Sequence, residues 1–191
     1  MIKQTLAEKL TALSSSTPEN TLLLSNLFVR VFFKKGMILS INDYAFPILY
    51  FIETGLARGY FYHQQKEYTY RAMENGFLMA MASLQHKKQV VEYITFMTDT
   101  HGWSLNLAKA QLLARKEPSL YHILLEIQQE SIMDGKAREL MLRLKTAEDM
   151  YVYLQESSPS LVHKLSNQIL ASLLNIKLKY LYQVKKRQRN K

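Results

Sequence analysis

The sequence contains no cysteine. Disulfides, thiolate metal sites, thiol nucleophiles and cysteine-held iron–sulfur clusters are therefore excluded together. Glycine is scarce, with six in 191 residues, and no phosphate-cradling glycine loop or nucleophile elbow can be traced. The most membrane-like run, 77–84, falls far short of the roughly 20 apolar residues that span a bilayer. Residues 1–9 lack the apolar core of a signal peptide. The five histidines, His63, His86, His101, His122 and His163, never pair at metal-binding spacing. These absences lead us to expect a soluble, cytoplasmic, non-enzymatic protein with no cofactor, no metal and no membrane contact.

Acid is also missing from the last fifth of the chain. From residue 157 onward stand Lys164, Lys177, Lys179, Lys185, Lys186, Arg187, Arg189 and Lys191, without one Asp or Glu, and the whole chain carries a formal charge of +9. A one-signed end of this kind suits a polyanion, because Lys and Arg near phosphates release condensed counterions. A solvated basic tail is the alternative reading of charge alone.

What is present divides into three parts. Leu6, Leu10 and Leu13 share a helical face, and Thr17-Pro18 reads as a cap with proline at the first helical position of a helix carrying Leu22, Leu23, Leu24 and Leu27. Short apolar and aromatic runs follow at 28–33, 37–41, 48–52, 56–62, 68–73 and 90–97, with turn-prone residues between them at 35–36, 42–43, 54–55 and 63–66. Their β-branched and aromatic content predicts an antiparallel roll or small barrel. The stretch His101-Gly102-Trp103-Ser104 reads as a surface turn. Beyond it, 107–115 reads as a short helix. A long helix then carries the stripe Leu120, Ile123, Leu124 and Ile127, which weakens over 131–135 and resumes at Leu140, Met141 and Leu144. Its length of some 25 residues exceeds what a small core requires, and pairing with a second copy is its simplest use. Thr146 and Asp149 form a capping pair that opens a further helix over 147–156, which Ser157-Ser158-Pro159 ends.

The strongest local pattern lies at 166–186. A helix-turn-helix needs a small residue where its helices cross, and Ala171 supplies it; four residues on, Asn175 tolerates the left-handed turn. Leu170, Leu174, Ile176, Leu181 and Val184 are spaced as its core, and Ser166 as its cap. The second helix then presents Lys177, Lys179, Tyr180, Gln183, Lys186 and Arg187, types suited to phosphates and base edges of double-stranded DNA. An ordinary αα-hairpin with a basic surface is the competing reading. One of Tyr180 and Tyr182 is expected to pack rather than face outward.

Several stretches together resemble the Crp/Fnr-type transcription regulators, in particular short members of Bacteroidetes type. These are 33–39 with its Lys35-Gly36 turn, 50–60 with Gly55 and Arg58, 66–69, 146–151 and 169–176, in the family's order along most of the chain. The resemblance implies an α+β fold: an N-terminal antiparallel β-roll of the cyclic-nucleotide-binding, cupin-like jelly-roll kind, a long dimerisation helix, and an all-α helix-turn-helix domain. It places these at 1–118, 119–145 and 146–191. It implies a homodimer on a roughly palindromic operator, with a possible small-molecule effector.

The sequence departs from the family in both halves. Residues 74–89 hold Gly76 but lack the family's Gly-Glu turn and its Arg-Ser pair, so cyclic AMP is not the expected effector. Met73, Met79, Met81 and Met97 read as core filler. Asn175 stands where the family has glycine, Lys177 where it has a capping Ser or Thr, Lys179 where it often has Glu, Gln183 where it has Arg, and Met150 where it often has Arg. Glutamine prefers adenine where arginine prefers guanine, so an altered operator is expected. A ligand-sensing or adaptor protein that has lost sequence-specific DNA binding is the alternative.

Overall fold

Two short helices, each opened by a threonine, begin the chain. The computed structural model describes residues 4–40, 48–80 and 91–189; in it α1 spans Leu6–Thr11 and α2 spans Pro18–Ser25. The hydroxyls of Thr5 and Thr17 each accept an N–H of the first turn, while the side chains of Glu8 and Asn20 reach back to accept the cap residue's own N–H.

Among the described residues eight strands follow: β1 (Val29–Phe33), β2 (Ile38–Ser40), β3 (Ile48–Thr54), β4 (Ala57–His63), β5 (Lys66–Met73), β6 (Gly76–Ala80), β7 (Glu92–Phe96) and β8 (Thr100–Asn106). They form two four-stranded antiparallel sheets, ordered β1-β8-β3-β6 and β2-β7-β4-β5. Successive strands switch repeatedly between the sheets, which makes the α+β jelly-roll architecture. The β4–β5 hairpin turns on Gln64 and Gln65, both at positive φ, the geometry whose twist matches paired strands. The apolar run of β3 is continuous because both its faces are covered. Tyr50 and Ile52 face the roll interior with Phe33, Leu78, Ile94 and Phe96, whereas Leu49 and Phe51 face helices. Within the interior, Phe33 stacks on Phe96 at 3.9 Å and meets Tyr50 edge-on at 5.5 Å.

The structure corrects the turn expected at 101–104. His101, Gly102, Trp103 and Ser104 lie in mid-strand in β8, paired to β1 on one side and β3 on the other. Strand β6 was likewise not legible as a strand. Met73, Met79 and Met97 each pack beside a core cluster, as filler does; Met81 and the turn at 42–43 lie outside the described residues.

The outer face of the β1-β8-β3-β6 sheet is covered by α1, α2, α3 (Leu107–Ala114) and α4 (Ser119–Leu142). Helix α4 runs 24 residues, unbroken through Gly135. Its Leu120, Ile123 and Ile127 are buried, with Leu124 packed beside them, against Leu6, Leu10, Leu24, Phe51 and Leu105. This stripe was expected to meet a second copy. It closes the core of its own chain instead, because these residues cover an apolar sheet face. The exposed apolar side chains lie elsewhere around α4: Tyr121, Leu125 and Ile132, flanked by Met133 and Leu140.

One titratable pair sits partly buried on the other sheet. Tyr70 Oη donates to Glu92 at 3.4 Å. Burial pushes the Glu92 carboxyl above its ordinary value of 4.5, although the tyrosine bond opposes this, and burial beside Glu92 raises Tyr70 too. A carboxyl raised on folding holds more protons in the native state. Glu92 therefore costs stability as pH climbs from 4.5 through its folded value, and costs nothing below 4.5. Glu92→Gln keeps an acceptor for Tyr70 and loses the charge. We expect its melting point to lie a few degrees above the parent's at pH 7 and to equal it below pH 4.5, by scanning calorimetry. A lower melting point at pH 7 contradicts this account.

Candidate nucleic-acid interface

After α4 the chain forms four helices. Helix α5 spans Ala147–Ser157, α6 Pro159–Lys164, α7 Asn167–Leu173 and α8 Leu178–Arg189. Thr146 caps α5, its hydroxyl accepting the Asp149 N–H at 3.1 Å and donating to the Asp149 carboxylate at 2.7 Å. Ser158-Pro159 does more than end α5: the proline is the first residue of α6, the short helix that sequence reasoning passed over. Ser166 caps α7 by accepting the Ile169 N–H at 3.3 Å.

The turn from α7 to α8 is fixed by its own backbone. Asn175 adopts φ +53°, the Asn175 N–H reaches the Ser172 carbonyl at 3.1 Å, and the Ile176 N–H reaches the Ala171 carbonyl at 3.0 Å. This pair of bonds is a Schellman closure, which reverses the chain within two residues. Ala171 is buried beneath the crossing, and Leu170, Leu174, Leu181 and Val184 are buried around it, with Ile176 packed alongside. Lys185 Nζ donates to Asn167 Oδ1 at 2.6 Å and ties α8 to the start of α7; partial burial and the nearby Arg189 lower the Lys185 pKa.

Helix α8 is sharply two-sided. Leu181 and Val184 point inward, while Lys179, Tyr180, Gln183, Lys186 and Arg187 are exposed on the helix, and Lys177 is exposed in the turn just before it. The structure thus places five of the six expected reader residues on α8 and the sixth, Lys177, in the turn that leads into it. Tyr180 and Tyr182 are both exposed, so neither packs as expected of one of them. Lys179 lies 5.0 Å from the Tyr180 ring. Arg187 also faces inward electrostatically: Glu148 of α5 lies 3.8 Å from it and accepts from Gln188 at 2.9 Å. Among the described residues no cluster of three His, Cys, Asp or Glu is arranged to hold a metal ion, and no helix is long and apolar enough to cross a membrane.

Other residues escaped sequence reasoning because they act across domains. Arg138 of α4, Ser172 of α7 and Thr69 of β5 converge where the roll meets the C-terminal helices. The apolar cluster of those helices also takes in Leu56 and Met141, with Ala72 and Met97 packed against it. No local spacing signals such a meeting.

No family model and no curated protein matches the sequence. Solved structures do. FixK2 from Bradyrhizobium japonicum aligns with a TM-score of 0.68 at 14% identity, over 85% of each chain. A CooA variant from Carboxydothermus hydrogenoformans aligns at 0.65 and 13% identity, over 100% of this chain and 86% of its own. A regulator assigned to the Crp/Fnr family, from Eubacterium rectale, aligns at 0.63 and 14%, over 88% and 82%. Each alignment covers more than four-fifths of both chains, so the chain has the fold of the Crp/Fnr-type transcription regulators.

Proposed function

We propose that the protein is a cytoplasmic DNA-binding transcription regulator that acts as a homodimer on a palindromic operator. The observation that carries this is the α7–α8 unit, a closed helix-turn-helix whose turn and second helix together expose six polar or cationic reader candidates on a terminus without acid. The roll (1–118) is read as the sensor or scaffold, 119–145 as the dimer helix and 146–191 as the reader domain. An unidentified small molecule other than cyclic AMP is the effector this reading allows, and no cofactor is required.

Support for the dimer comes from the solvent side of α4. Tyr121, Leu125 and Ile132 follow one another at four and seven residues, a repeat that keeps a single face of a helix. Gly135, one turn on, has nothing within 4 Å of where a Cβ would stand, so a second helix can approach there. A two-fold pair of such chains would set two α8 helices about one DNA turn, roughly 34 Å, apart.

The test is fluorescence anisotropy of the full chain on a palindrome selected from random duplexes and on a scrambled duplex, across salt concentrations. We expect Kd to differ by about 10³-fold or more between them. Gln183→Ala should change which bases are preferred at one position of each half-site. Lys186→Ala should weaken both duplexes alike and reduce the slope of log K against log salt by about 1. Equal Kd values on both duplexes would leave the adaptor reading in place of the regulator.

A further inference from the structure

The two halves of the chain meet at the edge of a sheet. Strand β5 is the last strand of β2-β7-β4-β5, so among the described residues its outward N–H and C=O groups have no strand to pair with. Open edges of this kind attract other strands unless something covers them. Here the register of β4 and β5 skips: Gly59 pairs with Arg71 but Tyr60 pairs with Thr69, which makes Tyr70 an extra, bulged residue. A bulge bends its strand and re-aims the residues beside it. Thr69 stands at that bend and is almost fully buried.

Every polar group of Thr69 is taken. Its hydroxyl accepts from Arg58 Nε at 2.9 Å and Nη2 at 2.6 Å, and Arg58 is itself paired with Glu67. Its N–H donates to Ser172 Oγ of α7 at 2.8 Å. Its carbonyl accepts from Arg138 Nη2 at 3.2 Å, and the same guanidinium group reaches the Leu173 carbonyl, at the end of α7, at 3.4 Å. Arg138 is part-buried, its Nε has no partner among the described residues, and burial lowers its pKa. An ion pair between Lys164 of α6 and Glu74, beyond the end of β5, lies at the same junction.

We propose that Thr69, Ser172 and Arg138 form a clamp that fixes the orientation of the reader helix on the roll and on α4. The clamp holds α7, and α8 follows through the Schellman turn and the Lys185–Asn167 bond. Arg138 belongs to the helix that carries Tyr121, Leu125 and Ile132 on another of its faces, so the same contact sets the reader relative to a second copy. Docking leaves all six candidate reader side chains, on α8 and at Lys177 just before it, exposed. The clamp therefore positions the reader rather than masking it. Its effect on DNA rests on the regulator reading above; its existence in the free protein does not.

Ser172→Ala in the full chain is the direct test, since alanine is the stronger helix former and α7 persists. The first readout is exchange of the Thr69 amide, followed by nitrogen-15 NMR on the free protein. A buried amide with an acceptor exchanges slowly, and losing that acceptor should speed it at least about tenfold. Arg138→Met should act in the same direction. The second readout is the ratio of specific to non-specific DNA affinity, expected to fall about tenfold while non-specific affinity and its salt slope hold. A Thr69 amide that exchanges equally in parent and variant overturns the clamp. So does faster exchange with an unchanged or increased affinity ratio. A parent protein that selects no DNA sequence would defeat the regulator reading alone, because the exchange experiment still decides the clamp.

Discussion

Leu125→Glu combined with Ile132→Glu should give a folded monomer that has lost specific DNA binding. Both side chains are about half exposed in the single chain, so neither change opens a core. In a two-fold pair of α4 helices, however, each glutamate would lie close to its counterpart or to the partner's apolar stripe. Four carboxylates would be brought into an apolar seam, at several kcal/mol for each ion that stays buried there. A protein at micromolar concentration cannot absorb that cost and dissociates. Linkage of two half-sites is worth about 10²–10⁴-fold in affinity, and that factor should be lost on the palindrome. Size-exclusion chromatography with light scattering reads the first effect and anisotropy the second. Retained dimers would show that another face pairs. Ile123→Glu gives the contrast: it places a charge among Leu6, Leu10 and Leu120, and should unfold the chain rather than divide the dimer.

The contrast between Ile123 and Leu125 also shows what the sequence could and could not reveal. The 3.6-residue period of α4 is a local property, and the helix is legible over nearly its whole length. Which of its two apolar stripes faces its own sheet depends on the opposite faces of Leu49, Phe51 and Leu105, more than a dozen residues away in the chain. The stronger stripe was read as the interface, yet the core had the prior claim on it. The turn at Asn175 was legible for the opposite reason, since cap, small residue, left-handed turn and core all lie within twenty residues. Helix α6 was hidden by Ser157-Ser158-Pro159, a signal that ends one helix and begins the next with the same residues. Thr69 and Ser172 are 103 residues apart, and neither carries a local sign of the bond between them.

Strand β8 shows how far a local reading can mislead, and Gly102→Ala should be a severely damaging change in the roll. The sequence His-Gly-Trp-Ser offers little alternation and a turn-forming residue, yet Gly102 pairs with Val31 on one side and Ile52 on the other. The β3–β8 register slips between Ile52 and Thr54, so β3 carries an extra residue, Glu53, just beyond the pairing with Gly102. A Cβ on Gly102 would overlap the carbonyl oxygen of Phe51, a backbone atom held in the middle of a sheet. No rotamer relieves that overlap, and β8 cannot retreat without breaking its ladder to β1 or β3. We expect a loss of about 4 kcal/mol or more, the range reached when backbone strain and a broken core combine. Trp103, the only tryptophan in the chain, is the next residue on the strand and reports the transition directly in a urea titration followed by fluorescence. Gly135→Ala is the matched control, because a Cβ there meets nothing within 4 Å and helix propensity favours the change by about 0.5–1 kcal/mol. The same substitution should thus unmake the roll at one glycine and stabilise the isolated chain at the other. An unchanged urea midpoint for Gly102→Ala would mean that β3 and β8 do not approach as closely as the backbone of Phe51 requires.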